Sequence, residues 1–157
     1  MLFRSDGKWA DTLPAGMEMN EALLKRGQQR FNIYCSVCHG YAGYGDGAVN
    51  KRAMELMSNT DGPVYGTAWV QAKSMHDPLV REHPVGMIYN IATNGIRNMA
   101  GYGAQIDLEY RWAIAAYVKA LQLSQNATIQ DVPPELREKL PKKVAQADAA
   151  ASSTEVK

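Results

Sequence analysis

Apolar residues recur at helical spacing in three stretches of the chain, separated by polar segments rich in turn formers. Leu23, Gly27, Phe31 and Tyr34 fall on one face of a helix that Asn20 is suited to cap and that runs into Cys35. Glu21 suits the positive end of that helix. Val85, Ile88, Tyr89 and Ala92 form a second stripe, with Pro84 at its first turn and Asn94-Gly95 at its end. Tyr110, Ile114, Tyr117, Val118 and Leu121 form the third, from a cap at Asp107 to about Leu123. Trp112, Ala113 and Ala116 make this last helix apolar on other sides too, which predicts burial on more than one face. A shorter helix is expected over residues 48–58, turning Val49, Met54 and Met57 inward, followed by a loop from Asn59 to Gly66. Residues 69–83 carry no readable period.

The punctuation sets the boundaries. Gly7, Pro14 and Gly16 break any helix before Asn20, so residues 1–19 read as an irregular arm. From Ser124 onward Pro133-Pro134, Pro141, mixed charge and the Ala-rich stretch Ala145 to Lys157 read as an extended tail that buries too little apolar surface to fold alone. The expected organisation is an arm over 1–19, a helical domain over 20–123 and a tail over 124–157, with no internal repeat. Gly27 in mid-helix costs about 1 kcal/mol relative to alanine, which implies that another element passes close to it.

Composition narrows the function classes. A net charge of +1 over 157 residues lacks the basic excess of a nucleic-acid-binding protein. The chemistry lies in Cys35-Ser36-Val37-Cys38-His39, which contains both cysteines of the chain. C-x-x-C-H is the pattern of covalent c-type haem attachment: the two thiols add to the vinyl groups on one porphyrin edge while His39 is carried under the ring to bind iron. A thioredoxin-like site has no need of His39, and a structural zinc site needs a fourth ligand at finger-like spacing. The remaining histidines are His76 and His83. The glycine-dense stretch after His39, Gly40 to Gly47, lacks the Lys-Ser/Thr ending of a phosphate loop and the spacing of a dinucleotide fingerprint.

A six-coordinate electron carrier needs a second iron ligand opposite His39. Met54, Met57 and Met87 sit in predicted helices and read as packing. Met99 sits in the segment between the second and third helices, where an irregular backbone could lay a thioether over the iron; His76, His83 and Met75 remain open as alternatives. Met/His ligation fills both axial positions and raises the reduction potential, whereas an open sixth position would point to a haem enzyme or sensor.

These residues resemble a class I c-type cytochrome. Gly27 and Phe31 match that family's helix-crossing positions and Tyr117 their aromatic partner on the last helix. The resemblance covers about residues 20–123 and implies a small all-α fold around one covalent haem c, flanked here by irregular N- and C-terminal extensions. One departure stands out. Many members place a proline shortly after the motif, whose carbonyl accepts the axial histidine's other N–H; here none occurs between His39 and Pro63, so the acceptor is left unassigned.

A narrower resemblance is carried by Arg26-Gly27, Phe31 to Cys35, Pro84-Val85-Gly86, Thr93-Asn94-Gly95, Arg111 to Tyr117 and Ala120 to Gln125. These strings are similar to the mono-haem cytochrome subunit of bacterial alternative complex III. That implies an electron-transfer subunit of a membrane quinol-oxidising complex, not an enzyme by itself. Its partners would be the other subunits and a redox protein such as another cytochrome or an oxidase. The main alternative is a free periplasmic shuttle. Because c-type attachment is completed outside the cytoplasm, the expected location is the periplasmic side of a bacterial inner membrane, peripheral or lipid-anchored. Met1 to Asp6 offer no apolar run of signal-peptide length, so either a leader lies outside this numbering or export is arranged otherwise. No stretch reaches the roughly 20 apolar residues of a spanning helix.

Overall fold

The computed structural model describes residues 6–58, 69–137 and 139, and the chain divides into two compact units, Met1–Gln122 and Leu123–Lys157. The first is built on three helices at the predicted places. Helix α1 (Glu21–Tyr34) starts where the Asn20 side chain accepts the Leu23 N–H at 2.9 Å. Helix α5 (Val85–Asn94) starts after Pro84, ends at Gly95 with φ 78°, and buries Val85, Ile88, Tyr89 and Ala92. Helix α6 (Leu108–Asn126) buries Trp112, Ala113, Ile114, Ala115, Ala116, Val118 and Gln122, the wide apolar face that its sequence predicts.

Two crossings make the core. Helix α1 meets α6 at Gly27, where a Cβ would run into the Ala113 carbonyl oxygen and lie 2.8 Å from Tyr117 Cβ. The absent side chain is what lets the two backbones approach. Beside it Phe31, with no exposed surface, sets its ring edge against Tyr117 at 5.4 Å and 60°. Helix α5 is joined to α6 by Tyr89 stacked on Trp112 at 4.3 Å. Val85, Ile88, Ile106, Ile114, Ala115 and Val118 complete the buried cluster.

The shorter elements are α2 (Ser36–His39), α3 (Ala48–Ser58), α4 (Pro78–Arg81) and an antiparallel pair, β1 (Gly95–Ile96) with β2 (Met99–Ala100), in which Ile96 faces Met99. The segment expected to be irregular around Met99 is therefore a minimal hairpin, with Arg97 in the left-handed region at φ 51°. Strands of two residues are too short to show alternation in sequence. Helix α3 lies where expected but faces the other way: Val49, Met54 and Met57 are 46%, 36% and 46% exposed, and the buried residue is Asn50. Its amide oxygen accepts from Trp69 Nε1 and the Ala72 N–H at 2.9 and 3.1 Å, and its Nδ2 donates to the Gly45 carbonyl at 2.7 Å. Satisfying these buried polar groups orients α3.

The described part of the arm, residues 6–19, is irregular but lies on its own unit. Ala10 is buried, its carbonyl accepts the Gly86 N–H at 2.8 Å, and Leu13 and Met17 pack against the core. In the second unit, Thr128 and Asp131 form a capping box on a 3-10 turn (Ile129–Asp131), followed by α7 (Pro134–Arg137). Arg137 donates to the Val132 and Gln130 carbonyls at 2.7 and 3.0 Å. The expected loop Asn59 to Gly66, together with Leu140, Pro141 and the Ala145 to Lys157 stretch, lies outside the described residues.

Candidate functional site

Helix α1 ends at Cys35, whose N–H still reaches the Phe31 carbonyl, and the chain tightens into the single turn α2. The Ser36 hydroxyl helps make the break by donating to the Asn32 carbonyl at 2.7 Å, drawing hydrogen bonding away from the helical ladder. One turn thus carries Cys35, Cys38 and His39, all half-buried. The glycine-dense loop folds back over that turn. The Gly45 N–H donates to the His39 carbonyl at 2.8 Å and the Gly47 N–H to the Cys38 carbonyl at 3.1 Å, capping groups that a helix end leaves unpaired. A Cβ at Gly47 would sit 2.6 Å from the Cys38 carbonyl carbon, so this wrap requires glycine there.

His39 is fixed by a group its sequence does not advertise. Its Nδ1 lies 3.1 Å from the Lys73 carbonyl oxygen. A carbonyl only accepts, so Nδ1 carries the proton and Nε2 is the nitrogen with a lone pair to offer. Burial lowers the affinity of the imidazole for a second proton, partly offset by the Lys73 hydrogen bond. The net direction is toward the neutral ring that binds metal. Lys73 thus fills the acceptor role left unassigned by the absence of an early proline. Backbone acceptors carry no residue-type signature, which is why sequence reasoning missed it.

Lys73 belongs to a strap crossing this side of the unit. The Met75 N–H donates to the Gly43 carbonyl at 2.7 Å, and His76 Nε2 donates to the Ala42 carbonyl at 2.7 Å, with its ring 4.6 Å from that of Tyr44. His76 and Met75 are therefore held against the loop that wraps His39. His83 follows α4, and its carbonyl accepts from Lys119 Nζ at 3.4 Å.

Met99 lies half-buried on β2. Downstream of the hairpin, Tyr102 and Gly103 are tied to α5 by N–H bonds to the Ala92 and Thr93 carbonyls, at 2.9 and 3.0 Å. The Tyr102 ring meets that of Tyr34 edge-on at 6.1 Å, and Tyr34 immediately precedes Cys35. Burial first, and then the two cysteines, push the Tyr102 phenol up. The Cys35 thiol is pushed up to about 12, first by burial and then by Cys38, and burial raises Cys38 as well. Burial thus makes both thiols harder to ionise than a free cysteine. Among the described residues no three His, Cys, Asp or Glu side chains gather to hold a bare metal ion. Two thiols on one turn and an imidazole whose Nε2 is left free by the Lys73 hydrogen bond fit covalent attachment and ligation of a haem.

The sequence model described as cytochrome c oxidase, cbb3-type, subunit III, matches residues 22–118, more than half of the chain. No curated protein matches it. Among solved structures, a chain of the reducing HAO-like protein complex of Kuenenia stuttgartiensis is similar at 16% identity and a TM-score of 0.50, over 70% of this chain and 49% of that one. At such identity the likeness speaks for fold alone, and this chain spans about half the length of the one it matches.

Proposed function

The chain belongs to the cytochrome c family described as cytochrome c oxidase, cbb3-type, subunit III, and from that premise we propose that it transfers electrons through one covalent haem c as the mono-haem subunit of a quinol-oxidising membrane complex of the alternative complex III type. The fold is the small all-α class I cytochrome c fold, the family implies haem c, and its members carry electrons. The observation that carries the reading of the site is the Cys35–Cys38–His39 turn with Nδ1 tied to the Lys73 carbonyl.

Cys35 and Cys38 would hold the porphyrin through thioethers, with His39 Nε2 and the Met99 sulfur as proximal and distal iron ligands. Bound there, the haem supplies one-electron exchange between ferric and ferrous iron. Filled axial positions leave no site for a substrate, so the reading is a carrier and not a catalyst. Lys73 keeps the Nδ1 proton in place and so fixes the imidazole tautomer. The Phe31–Tyr117 contact braces helix α1, which runs into the motif, against α6.

Membership in a larger complex rests on the strings shared with the alternative complex III subunit and on the second unit, Leu123–Lys157, which a minimal haem domain does not need. Its partners would be the other subunits and a cytochrome or oxidase that receives the electron, on the periplasmic side of a bacterial inner membrane, with the chain peripheral or lipid-anchored. No helix among the described residues is long and apolar enough to cross a membrane. A free shuttle is the second reading, favoured by the way the arm is used within its own unit, through Ala10, Leu13 and Met17. Purification from host membranes in mild detergent separates the two. Co-migration of the full chain with a quinol-oxidising assembly, lost on deletion of residues 126–157, supports the subunit. A full-length chain recovered only as a water-soluble monomer supports the shuttle.

A further inference from the structure

Asn50, Gln122 and Ser36 are the buried polar side chains among the described residues, and two of them bracket the residue that holds His39. Asn50, 2% exposed, accepts the Ala72 N–H at 3.1 Å and Trp69 Nε1 at 2.9 Å. Gln122, 3% exposed, donates from Nε2 to the Met75 carbonyl at 2.9 Å. Lys73 lies between Ala72 and Met75. The strap is thus held immediately before and two residues after the carbonyl that accepts from His39, by amides anchored on two different helices, α3 and α6. Other ties of the strap near this point, from Met75 and the Ser74 hydroxyl to the Gly43 carbonyl, from His76 to Ala42 and from Lys73 to Asp77, involve backbone groups or side chains less buried than these two.

Placing a carboxamide in either site is costly unless it serves the backbone. Asn50 occupies the one buried position of an otherwise exposed helix, and Gln122 extends the apolar series Ile114, Ala115, Val118 of α6. Both amides would be replaced by aliphatic residues if packing were all that mattered. We propose that Asn50 and Gln122 are positioning residues for the axial imidazole: by clamping the Ala72–Met75 strap from both sides they hold the Lys73 carbonyl at hydrogen-bonding distance from His39 Nδ1 and thereby set the donor strength of the iron ligand. This rests on the reading of His39 as the proximal ligand. A tight Nδ1–H···O=C bond makes the imidazole a stronger donor, which favours ferric iron. Loosening the strap weakens that bond and raises the reduction potential. The clamp takes the place of the early proline carbonyl that this sequence lacks, using two side chains that lie 23 residues before and 49 residues after Lys73.

The test is made on the full-length, haem-bearing protein. Gln122→Met keeps the volume and removes the donor; Asn50→Ala acts on the other side of Lys73 and keeps the test open if one variant folds poorly. Each should raise the ferrous-to-ferric ratio at a fixed potential by about tenfold, which is about 59 mV for a one-electron couple. Each should also speed solvent exchange of the His39 Nδ1 proton in the reduced protein by NMR. Ile88→Ala, which destabilises the core away from the strap, should move neither. Folded clamp variants with unchanged potential and exchange would overturn the proposal while leaving the axial reading intact. A His39→Gln variant that kept the parent's low-spin spectrum would overturn the axial reading, and the proposal with it.

Discussion

Replacing Gly27 by alanine probes the point where helix α1, which leads into the cysteine turn, touches the rest of its unit. The added Cβ would lie 2.7 Å from the Ala113 carbonyl carbon and 2.8 Å from Tyr117 Cβ. Ordinary carbon contacts begin near 3.5 Å, so α1 and α6 must part by about 1 Å or shear. Overpacking of this kind costs about 1–3 kcal/mol. Loosening the Phe31–Tyr117 edge contact adds about 0.5–1.5 kcal/mol. Against these stands a gain of about 1 kcal/mol from removing a helical glycine. The balance is a destabilisation of about 2 kcal/mol, or a fall in Tm of about 8 °C for a domain of this size. Urea unfolding of the haem-bearing protein, followed by far-UV circular dichroism, should show a lower midpoint with an unchanged slope. A variant as stable as the parent, or more stable, would mean that helix propensity outweighs the crossing, and the account of Gly27 would be wrong.

Met99→Ala should abolish the weak far-red sulfur-to-iron band of the oxidised protein while leaving the haem covalently attached; persistence of the band would move the distal ligand elsewhere. Asp77 accepts from the Lys73 ammonium and the Leu79 N–H, which hold its carboxyl below the usual range. Because the folded value is the lower one, the stabilisation is complete above the ordinary carboxylate range and is lost as pH falls through the folded value. Urea midpoints measured from pH 5 downward should decline less steeply in Asp77→Asn than in the parent, and equal slopes would contradict the role given to Asp77. Deleting residues 1–17 removes Ala10, Leu13 and Met17 from the core and should lower the thermal midpoint; an unchanged midpoint would show that the arm contributes nothing to it.

What sequence reveals here follows from the range of each interaction. Helices α1, α5 and α6 are legible because each buries a stripe at its own period, and Gly27 betrays its crossing because a mid-helix glycine is unfavourable unless something needs the space. The cysteine turn is legible because its chemistry is local. Lys73 is not, because its contribution is a carbonyl and its partner lies 34 residues away. Helix α3 misleads for a related reason. Its apolar positions invite an inward reading, but the three hydrogen bonds of Asn50 decide which face is buried. The Met99 hairpin escapes notice because its strands span two residues each.

The central claim is that Cys35 and Cys38 attach a haem, and the mass of the denatured protein tests it most directly. Full-length chain matured with a c-type haem-attachment system, unfolded and extracted with acidified acetone, should retain the mass of one haem, and Cys35→Ala with Cys38→Ala should lose it entirely. A porphyrin that washes out of the parent protein would contradict the account at its root.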